Sequence, residues 1–200
     1  MTKIKLCGLR YDEDIDAVNE LLPEYIGFVF WNKSKRYITP DDALFLKQRL
    51  NSKIKAVGVF VNEDIDVIKS LFKRGIIDIV QLHGDEGEAY IHRLKNDVEC
   101  HVFKAFKIRN YEDVMAANMS AADMVLLDSG MGTGECFDWK YINAVERPFI
   151  LAGGLTPDNI RDAIKRLKPY GVDASSSLET DGKKDVSKMK LFVEAVRKCN

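Results

Sequence analysis

Residues 54–84 have the sequence IKAVGVFVNEDIDVIKSLFKRGIIDIVQLHG, in which an apolar run, an amphipathic stretch and a second apolar run follow one another. The runs Ile54–Val61 and Ile76–Leu82 are rich in valine and isoleucine and alternate only weakly with polar residues. That pattern is typical of strands buried on both faces of a parallel sheet. The polar segment Asn62–Asp64, followed by Ile65, marks the start of a helix. The stretch therefore predicts a strand–helix–strand unit with parallel strands.

The same order of elements repeats along the whole chain. Short apolar runs predict eight strands, at Lys3–Cys7, Tyr25–Phe30, Ile54–Val61, Ile76–Leu82, Cys100–Phe106, Asp123–Leu127, Phe149–Ala152 and Gly171–Ala174. Eight helical stretches lie between or after these strands. They include Asp12–Leu22, stretches opened by Pro40 with Asp41 and Asp42 and by Asn62, a short one near Trp139–Val145, one with Thr156 as N-cap before Pro157, and a last one from about Val186 to Lys198.

Eight such repeats favour an α/β fold, the (β/α)8 TIM barrel, with eight parallel strands and surrounding helices. An open doubly wound sheet would give the same alternation and is the alternative. The chain has 200 residues, fewer than the ~250 typical of this barrel. Because it contains no linker or low-complexity segment, we predict a single domain, residues 1–200.

The composition excludes several classes of partner. Lysine and arginine total 30, aspartate and glutamate total 31, and no long charge run breaks this balance. Neither a nucleic-acid partner nor a membrane-binding basic face is therefore predicted. No apolar run reaches the roughly 18 residues that span a bilayer, and the first ten residues lack the pattern of a signal peptide. We expect a cytoplasmic protein, and the sequence leaves monomer and homodimer open.

The cysteines and histidines do not form a metal-binding pattern. The sequence has four scattered cysteines, Cys7, Cys100, Cys136 and Cys199, and three histidines that do not cluster. Without paired spacing they predict free thiols in a reducing compartment and no metal site.

Reactive residues stand at the carboxyl ends of the apolar runs, which in a barrel face one shared mouth. Cys7 ends the first run and is a candidate general base or nucleophile if its pKa is lowered. The alternative is a small buried hydrophobic residue. Asp128 directly follows the sixth run and is a candidate general acid if shelter from water raises its pKa. Its alternative role is to cap a helix or brace a loop.

Two loops are predicted to bind phosphate. Gly153 and Gly154 follow the seventh run and would let a phosphate approach backbone N–H groups. Ser175, Ser176 and Ser177 follow the eighth run and offer hydroxyl and amide donors. The loops after strands seven and eight are the recurrent phosphate site of this barrel, and ordinary turn chemistry is the alternative.

Three further features near the strand ends are less specific. Arg36, after the second run, can hold a carboxylate through two hydrogen bonds, although a solvated basic loop is the more common role. His83, after the fourth run, is a candidate substrate contact or acid/base group, and we favour a packed, hydrogen-bonded histidine. Gly130–Glu135, after the sixth run, either closes over a substrate or simply turns the chain.

The motifs at these positions, taken in order, resemble the phosphoribosylanthranilate isomerase family of tryptophan biosynthesis. The matches run from Lys3 to about Glu179. They are Lys5–Gly8, Gly27–Phe30, Ser34–Tyr37, Gln81–Gly84, Leu126–Ser129, Gly132–Gly134 with Phe137–Trp139, Leu151–Leu155 and Val172–Glu179. Each motif alone is weak, but eight in the right order at predicted strand ends and loops are specific.

The resemblance implies an Amadori rearrangement of a phosphoribosyl aromatic amine, without a cofactor. Asp128 would be the general acid that protonates the furanose ring oxygen, and Cys7, as thiolate, the base that removes the proton from C2. Arg36 would hold the anthranilate carboxylate. The remaining substrate contacts implied are Gly153, Gly154, Ser175 and Ser176 at the phosphate and Asp173 near the sugar. Because a free thiol titrates near 8.5, something must stabilise the thiolate, and Lys5 shares a strand face with Cys7.

Two positions depart from the family pattern. Lys35 stands where the family usually has proline, which we expect to loosen the loop that presents Arg36. Ser177 stands where the family usually has glycine, which would suit a close phosphate or a positive φ.

Rival functions on the same fold remain. An indole-glycerol-phosphate synthase would need a catalytic lysine and glutamate at strand ends, and Lys104 and Lys107 are present. A metal-dependent pentose-phosphate epimerase would need several converging histidines and acids, for which His83 alone is too few. A non-catalytic phosphosugar-binding protein would need neither Cys7 nor Asp128.

Overall fold

A computed structural model describes residues 1–128 and 141–199 of the chain. Eight parallel strands form a closed barrel: β1 Lys3–Cys7, β2 Tyr25–Val29, β3 Lys55–Phe60, β4 Ile79–Leu82, β5 His101–Lys107, β6 Met124–Asp128, β7 Phe149–Ala152 and β8 Gly171–Ala174. The predicted loop Gly130–Glu135, together with Ser129, Cys136 and Phe137–Trp139, lies outside the described residues.

Helices follow the strands on the outside of the barrel. The described residues contain seven α-helices: α1 Asp12–Leu21, α2 Pro40–Arg49, α3 Ile65–Lys73, α4 Glu88–Asp97, α5 Tyr111–Met119, α6 Ile160–Leu167 and α7 Val186–Arg197. The predicted short helix near Trp139–Val145 is only a 3-10 turn, Ile142–Ala144, where the chain is described. A small hairpin, β9 Glu179–Thr180 and β10 Lys183–Lys184, lies between β8 and α7.

Pairing between the first and last strands closes the barrel. β1 pairs in parallel with β2 on one side and β8 on the other, so that Lys5 stands opposite both Tyr25 and Asp173. An open doubly wound sheet has two unpaired edges, which this pairing excludes. The prediction of a barrel is therefore confirmed, and the open-sheet alternative is wrong.

The predicted helix starts have different outcomes, and α3 begins at Ile65 with Asp64, rather than Asn62, as its N-cap. Thr39 caps α2 by accepting a hydrogen bond from the Asp42 amide, with Pro40 in the first turn as predicted. The prediction that Thr156 is the N-cap of the sixth helix is wrong. The chain first makes a turn, Asn159 Oδ1 accepts from the Thr156 amide at 2.9 Å, and α6 begins at Ile160. Asparagine closes such turns well because its side chain hydrogen-bonds to nearby backbone.

Side chains alternate between the barrel interior and the layer beneath the helices. In β1, Ile4 and Leu6 belong to the large cluster packed against the helices, whereas Cys7 packs inside the barrel with Val29 and Val59. A second interior cluster contains Val57, Ile79, Phe103, Leu126, Ile150 and Ala152. Since strand residues two apart share a face, Lys5 and Cys7 both face the interior.

Among the helices of residues 1–128 and 141–199, none has the length and apolar character that crossing a membrane requires.

Gly58 provides a test of the packing outside the barrel. A Cβ at this position would lie 2.8 Å from Phe60 Cε2 and 2.9 Å from Ile77 Cγ2. We expect Gly58→Ala to lower the free energy of unfolding by about 1–3 kcal/mol, the usual cost of overpacking a core. Urea denaturation measures this loss. Ser52→Ala, at an exposed position before β3, serves as the control, and equal stability of both variants would contradict the packing.

Candidate active site

The carboxyl ends of the strands bring the predicted catalytic residues into one interior mouth. Cys7 ends β1, Gln81 and His83 lie at the end of β4, Asp128 ends β6 and Asp173 lies in β8. Each faces the interior because it stands two residues from, or in register with, another interior side chain. The mouth therefore combines a thiol, a histidine and two carboxyl groups.

A buried ion pair lies at the base of this mouth. Lys5 Nζ is 3.1 Å from both carboxylate oxygens of Asp173, and the Lys5 side chain is fully buried. Burial lowers the pKa of the Lys5 ammonium, but the charges of Asp173 and Cys7 outweigh burial and raise it. Burial raises the pKa of Asp173, against the opposing effect of Lys5. Lys5 is therefore held charged beside Cys7.

Cys7 lies directly above this pair and is itself buried. Burial raises the pKa of its thiol, and the neighbouring Lys5 ammonium opposes this effect without reversing it. The neighbouring strand leaves room for the sulfur because it carries Gly27, where a Cβ would lie 2.5 Å from Cys7 Sγ. Lys5 thus has the position expected of a thiolate-stabilising group, although its charge offsets only part of the effect of burial on the pKa of Cys7.

Asp128 and His83 form the other half of the mouth. His83 Nε2 is 3.7 Å from Asp128 Oδ2, and both side chains are partly exposed. On its other side, His83 Nδ1 is 3.1 Å from Nε2 of Gln81. This contact joins the side-chain amide of Gln81 to the imidazole beside Asp128. His83 is therefore both a hydrogen-bonded histidine and a neighbour of the candidate acid.

The two predicted phosphate loops flank the same mouth. Gly153 and Gly154 both have positive φ, +88° and +61°, and Asn159 Nδ2 donates to the Gly154 carbonyl at 2.9 Å. Ser175 Oγ donates to the Cys7 carbonyl at 2.9 Å, which ties the eighth strand's loop to the first strand. Exposed Ser176 begins a 3-10 turn, Ser176–Leu178.

Ser177 fits the backbone without strain. It lies within the same 3-10 turn, and it is not among the residues with positive φ. The structure at this position therefore does not require the glycine that the family usually has.

Arg36 lies in a cluster of charges that the sequence did not reveal. Its Nη2 donates to Glu179 Oε2 at 2.9 Å and its Nε to Glu179 Oε1. Glu179 also accepts from Lys184 Nζ at 2.8 Å, and the Lys184 side chain is 2% exposed. A buried lysine in a short hairpin has no sequence signature, so only the fold identifies Lys184 and Glu179 as members of the site.

No metal centre is formed by the part of the chain that the structure describes. In residues 1–128 and 141–199 there is no group of three or more histidine, cysteine, aspartate or glutamate side chains that could hold an ion. A cavity of ≈ 620 Å³ lies at the opposite, amino-terminal end of the barrel, lined in part by Met1, Tyr170 and Lys198. Its lining includes none of the predicted site residues.

The fold and the mouth together define a class, the (β/α)8-barrel enzymes that bind a phosphorylated substrate at the carboxyl ends of their strands. Residues 4–195 match the family model described as N-(5'-phosphoribosyl)anthranilate isomerase. The chain belongs to the N-(5'-phosphoribosyl)anthranilate isomerase family, and it is an isomerase.

Individual relatives and solved structures similar to this chain belong to the same family. The enzyme named N-(5'-phosphoribosyl)anthranilate isomerase from Thermoanaerobacter pseudethanolicus is 44% identical over 204 residues, covering 98% of each chain. A crystal structure of phosphoribosylanthranilate isomerase in complex with reduced 1-(o-carboxyphenylamino)-1-deoxyribulose 5-phosphate has a TM-score of 0.86 at 34% identity, over 99% of this chain and 100% of the other. Monomers generated from the dimeric enzyme of Thermotoga maritima give 0.85 at 34% identity, with the same coverage.

The raised pKa of Cys7 has a measurable consequence. Because the thiolate is the reactive form, we expect the rate of Cys7 alkylation by iodoacetamide to keep rising above pH ~9, where an ordinary cysteine is already ionised. Peptide mass spectrometry follows Cys7 separately from the other cysteines, and Cys7→Ser provides the blank. A rate that levels off below pH ~8 would mean instead that Lys5 overcomes burial and stabilises the thiolate.

Proposed function

We propose that the protein catalyses the Amadori rearrangement of N-(5-phosphoribosyl)anthranilate to 1-(2-carboxyphenylamino)-1-deoxyribulose 5-phosphate in tryptophan biosynthesis. The observation that carries this proposal is the placement of Cys7 and Asp128 at the ends of β1 and β6, in one mouth. The likeness to an isomerase structure that holds a reduced product analogue, over 99% of this chain, supports the choice of substrate.

Asp128 is the general acid of the first step. Its carboxyl proton passes to the furanose ring oxygen, the bond from that oxygen to C1 breaks, and the nitrogen lone pair forms a protonated Schiff base. Asp128 is left as a carboxylate, and the His83 imidazole lies beside it, with Nε2 3.7 Å from Asp128 Oδ2.

Cys7 is the base of the second step. Its thiolate removes the proton from C2, the electron pair moves towards the iminium nitrogen, and the resulting enolamine tautomerises to the ketose. Substrate and product have the same oxidation state overall, so the reaction needs no redox cofactor. Lys5, charged and buried beside Cys7, offsets part of the cost of forming a thiolate in this buried place.

The remaining residues hold the substrate. The phosphate lies against Gly153 and Gly154 on one loop and Ser175 and Ser176 on the other, where backbone N–H groups and hydroxyls can donate. Asp173, whose carboxylate is engaged by Lys5, borders the sugar and acts mainly by holding Lys5. Arg36 binds the carboxylate of the anthranilate ring.

The proposal also includes the remaining expectations from the sequence. Residues 1–200 act as one catalytic domain in the cytoplasm, on a small phosphorylated substrate, without nucleic acid, metal or cofactor. Whether the protein is a monomer or a homodimer stays open, and a relative described as dimeric gives the second state a precedent.

Kinetics of two variants test the proposal. We expect purified protein to remove the fluorescence of freshly prepared phosphoribosylanthranilate, and Cys7→Ser and Asp128→Asn each to lower kcat by at least ~100-fold, the usual contribution of a general acid or base. Cys100→Ser, which changes a half-buried thiol far from the mouth, is the matched control.

Three other results would each have a clear meaning. Turnover that survives both substitutions would keep the substrate and overturn the roles of Cys7 and Asp128. Tight binding of the product analogue without turnover would favour a non-catalytic phosphosugar-binding protein. If the protein shows no binding and no turnover, the choice of substrate is refuted.

A further inference from the structure

The carboxylate of Glu179 is surrounded by several positively charged side chains beside the mouth. It is the first residue of β9, and its side chain is 8% exposed. Its carboxylate accepts from Arg36 and from Lys184, and Lys35 Nζ lies 3.7 Å from Oε2. Burial alone would raise the pKa of Glu179, but the hydrogen bonds from Arg36 and Lys184 outweigh it and lower the pKa to about 2. Glu179 is therefore ionised at any physiological pH.

The Arg36 side chain is placed next to the catalytic strand. A Cβ at Gly8 would lie 2.5 Å from Arg36 Cδ and 3.3 Å from Ser175 Oγ. Gly8 also has a φ of +84°, which favours glycine. The aliphatic part of the Arg36 side chain therefore passes over Gly8, the residue that follows Cys7. The position of the guanidinium is then set by the groups that bind it.

The way in which Glu179 binds Arg36 leaves one edge of the guanidinium available. Glu179 takes the side edge, formed by Nε and one Nη2 hydrogen. A guanidinium has five N–H donors in a fixed plane, so the end edge, formed by Nη1 and the second Nη2 hydrogen, can bind another carboxylate at the same time. No hydrogen bond from Nη1 to any residue of 1–128 or 141–199 is present. Arg36 can thus be clamped and still bind substrate.

Lys35 contributes little to this arrangement. Its ammonium lies 3.7 Å from the carboxylate that binds Arg36, but the Lys35 side chain is 68% exposed, and such a pair adds little stability. That Lys35, in place of proline, loosens the loop presenting Arg36 stays a prediction. Arg36 is held chiefly by Glu179, which Lys184 fixes through its hydrogen bonds to Glu179 and to the Ser175 carbonyl.

We infer that Glu179 is a positioning residue that directs the end edge of Arg36 at the carboxylate of the aromatic ring, and so makes the enzyme selective for carboxylated over uncarboxylated aryl amines. The inference rests on the proposed function. Glu179 itself does not touch the substrate, since both of its oxygens are engaged by Arg36, with Lys184 and Lys35 alongside.

The test compares two substrates that differ only in the carboxylate. N-(5-phosphoribosyl)anthranilate and N-(5-phosphoribosyl)aniline are each given to the wild type and to Glu179→Gln, and ketose formation is followed by chromatography. We expect Glu179→Gln to raise KM for the anthranilate substrate ~10-fold, the loss of about one charge-assisted hydrogen bond. KM for the aniline substrate and kcat for both should stay within ~3-fold.

Two matched variants separate positioning from a merely structural role. Lys35→Ala removes an exposed cation from the same carboxylate and should leave both KM values unchanged. In an Arg36→Ala background, Glu179→Gln should cause no further rise in KM for the anthranilate substrate, because the residue through which it acts is gone. If Glu179→Gln does not fold, Glu179→Asp keeps the charge but is one methylene shorter, and it should show the same selective rise.

Four results would overturn the inference. An equal loss on both substrates would make Glu179 a structural residue. A lower KM for the anthranilate substrate would mean that Glu179 competes for Arg36. No turnover of the anthranilate substrate by the wild type would remove the proposed function and this inference with it, whereas wild-type turnover with an unchanged preference in Glu179→Gln would remove the inference alone.

Discussion

The contact between Lys5 and Asp173 is the constraint on which the rest of the mouth depends. These residues face each other across the pairing of β1 with β8, the seam that closes the barrel, and their charges are 3.1 Å apart, with the Lys5 side chain fully buried and that of Asp173 9% exposed. Taking two charges out of water costs several kcal/mol per ion, and only a close partner offsets that cost. The pair therefore fixes the register of the seam and, two residues further along β1, the position of Cys7.

Because side chains alternate along parallel strands, the register of the strands decides which side chains face the active site. A one-residue slip of any strand would send its interior side chains to the helix side. Because β1, β4, β6 and β8 keep their register, Cys7, His83, Asp128 and Asp173 meet at one end. The hairpin after β8 then brings Glu179 and Lys184 to the same end, where they hold Arg36. The proposed acid and base thus come from distant strands, and the proposed carboxylate-binding group comes from loops.

Much of the fold could be predicted from sequence because buried parallel strands have a strong local signature. The runs Lys3–Cys7 and Phe149–Ala152 match β1 and β7 residue for residue. The predicted strand bounds also place Cys7 and Asp128 at the carboxyl ends of their strands. Thr156 was misassigned because threonine before proline and aspartate is a common cap, and the competing turn closed by Asn159 depends on backbone geometry. The partnership of Arg36 with Glu179 spans 143 residues, and no local pattern encodes it. The pKa of Cys7 depends on a balance of burial against charge that only the packed structure determines.

The most direct measurement of the central constraint is the unfolding free energy of Lys5→Met, Asp173→Leu and the double variant, from urea denaturation at pH 7. If the pair closes the seam, each single substitution leaves an unpaired buried charge and costs about 3–5 kcal/mol, while the double variant, which replaces the pair with apolar side chains, costs much less than the sum. Single losses below about 1 kcal/mol, or losses that simply add in the double variant, would contradict a seam held by this ion pair.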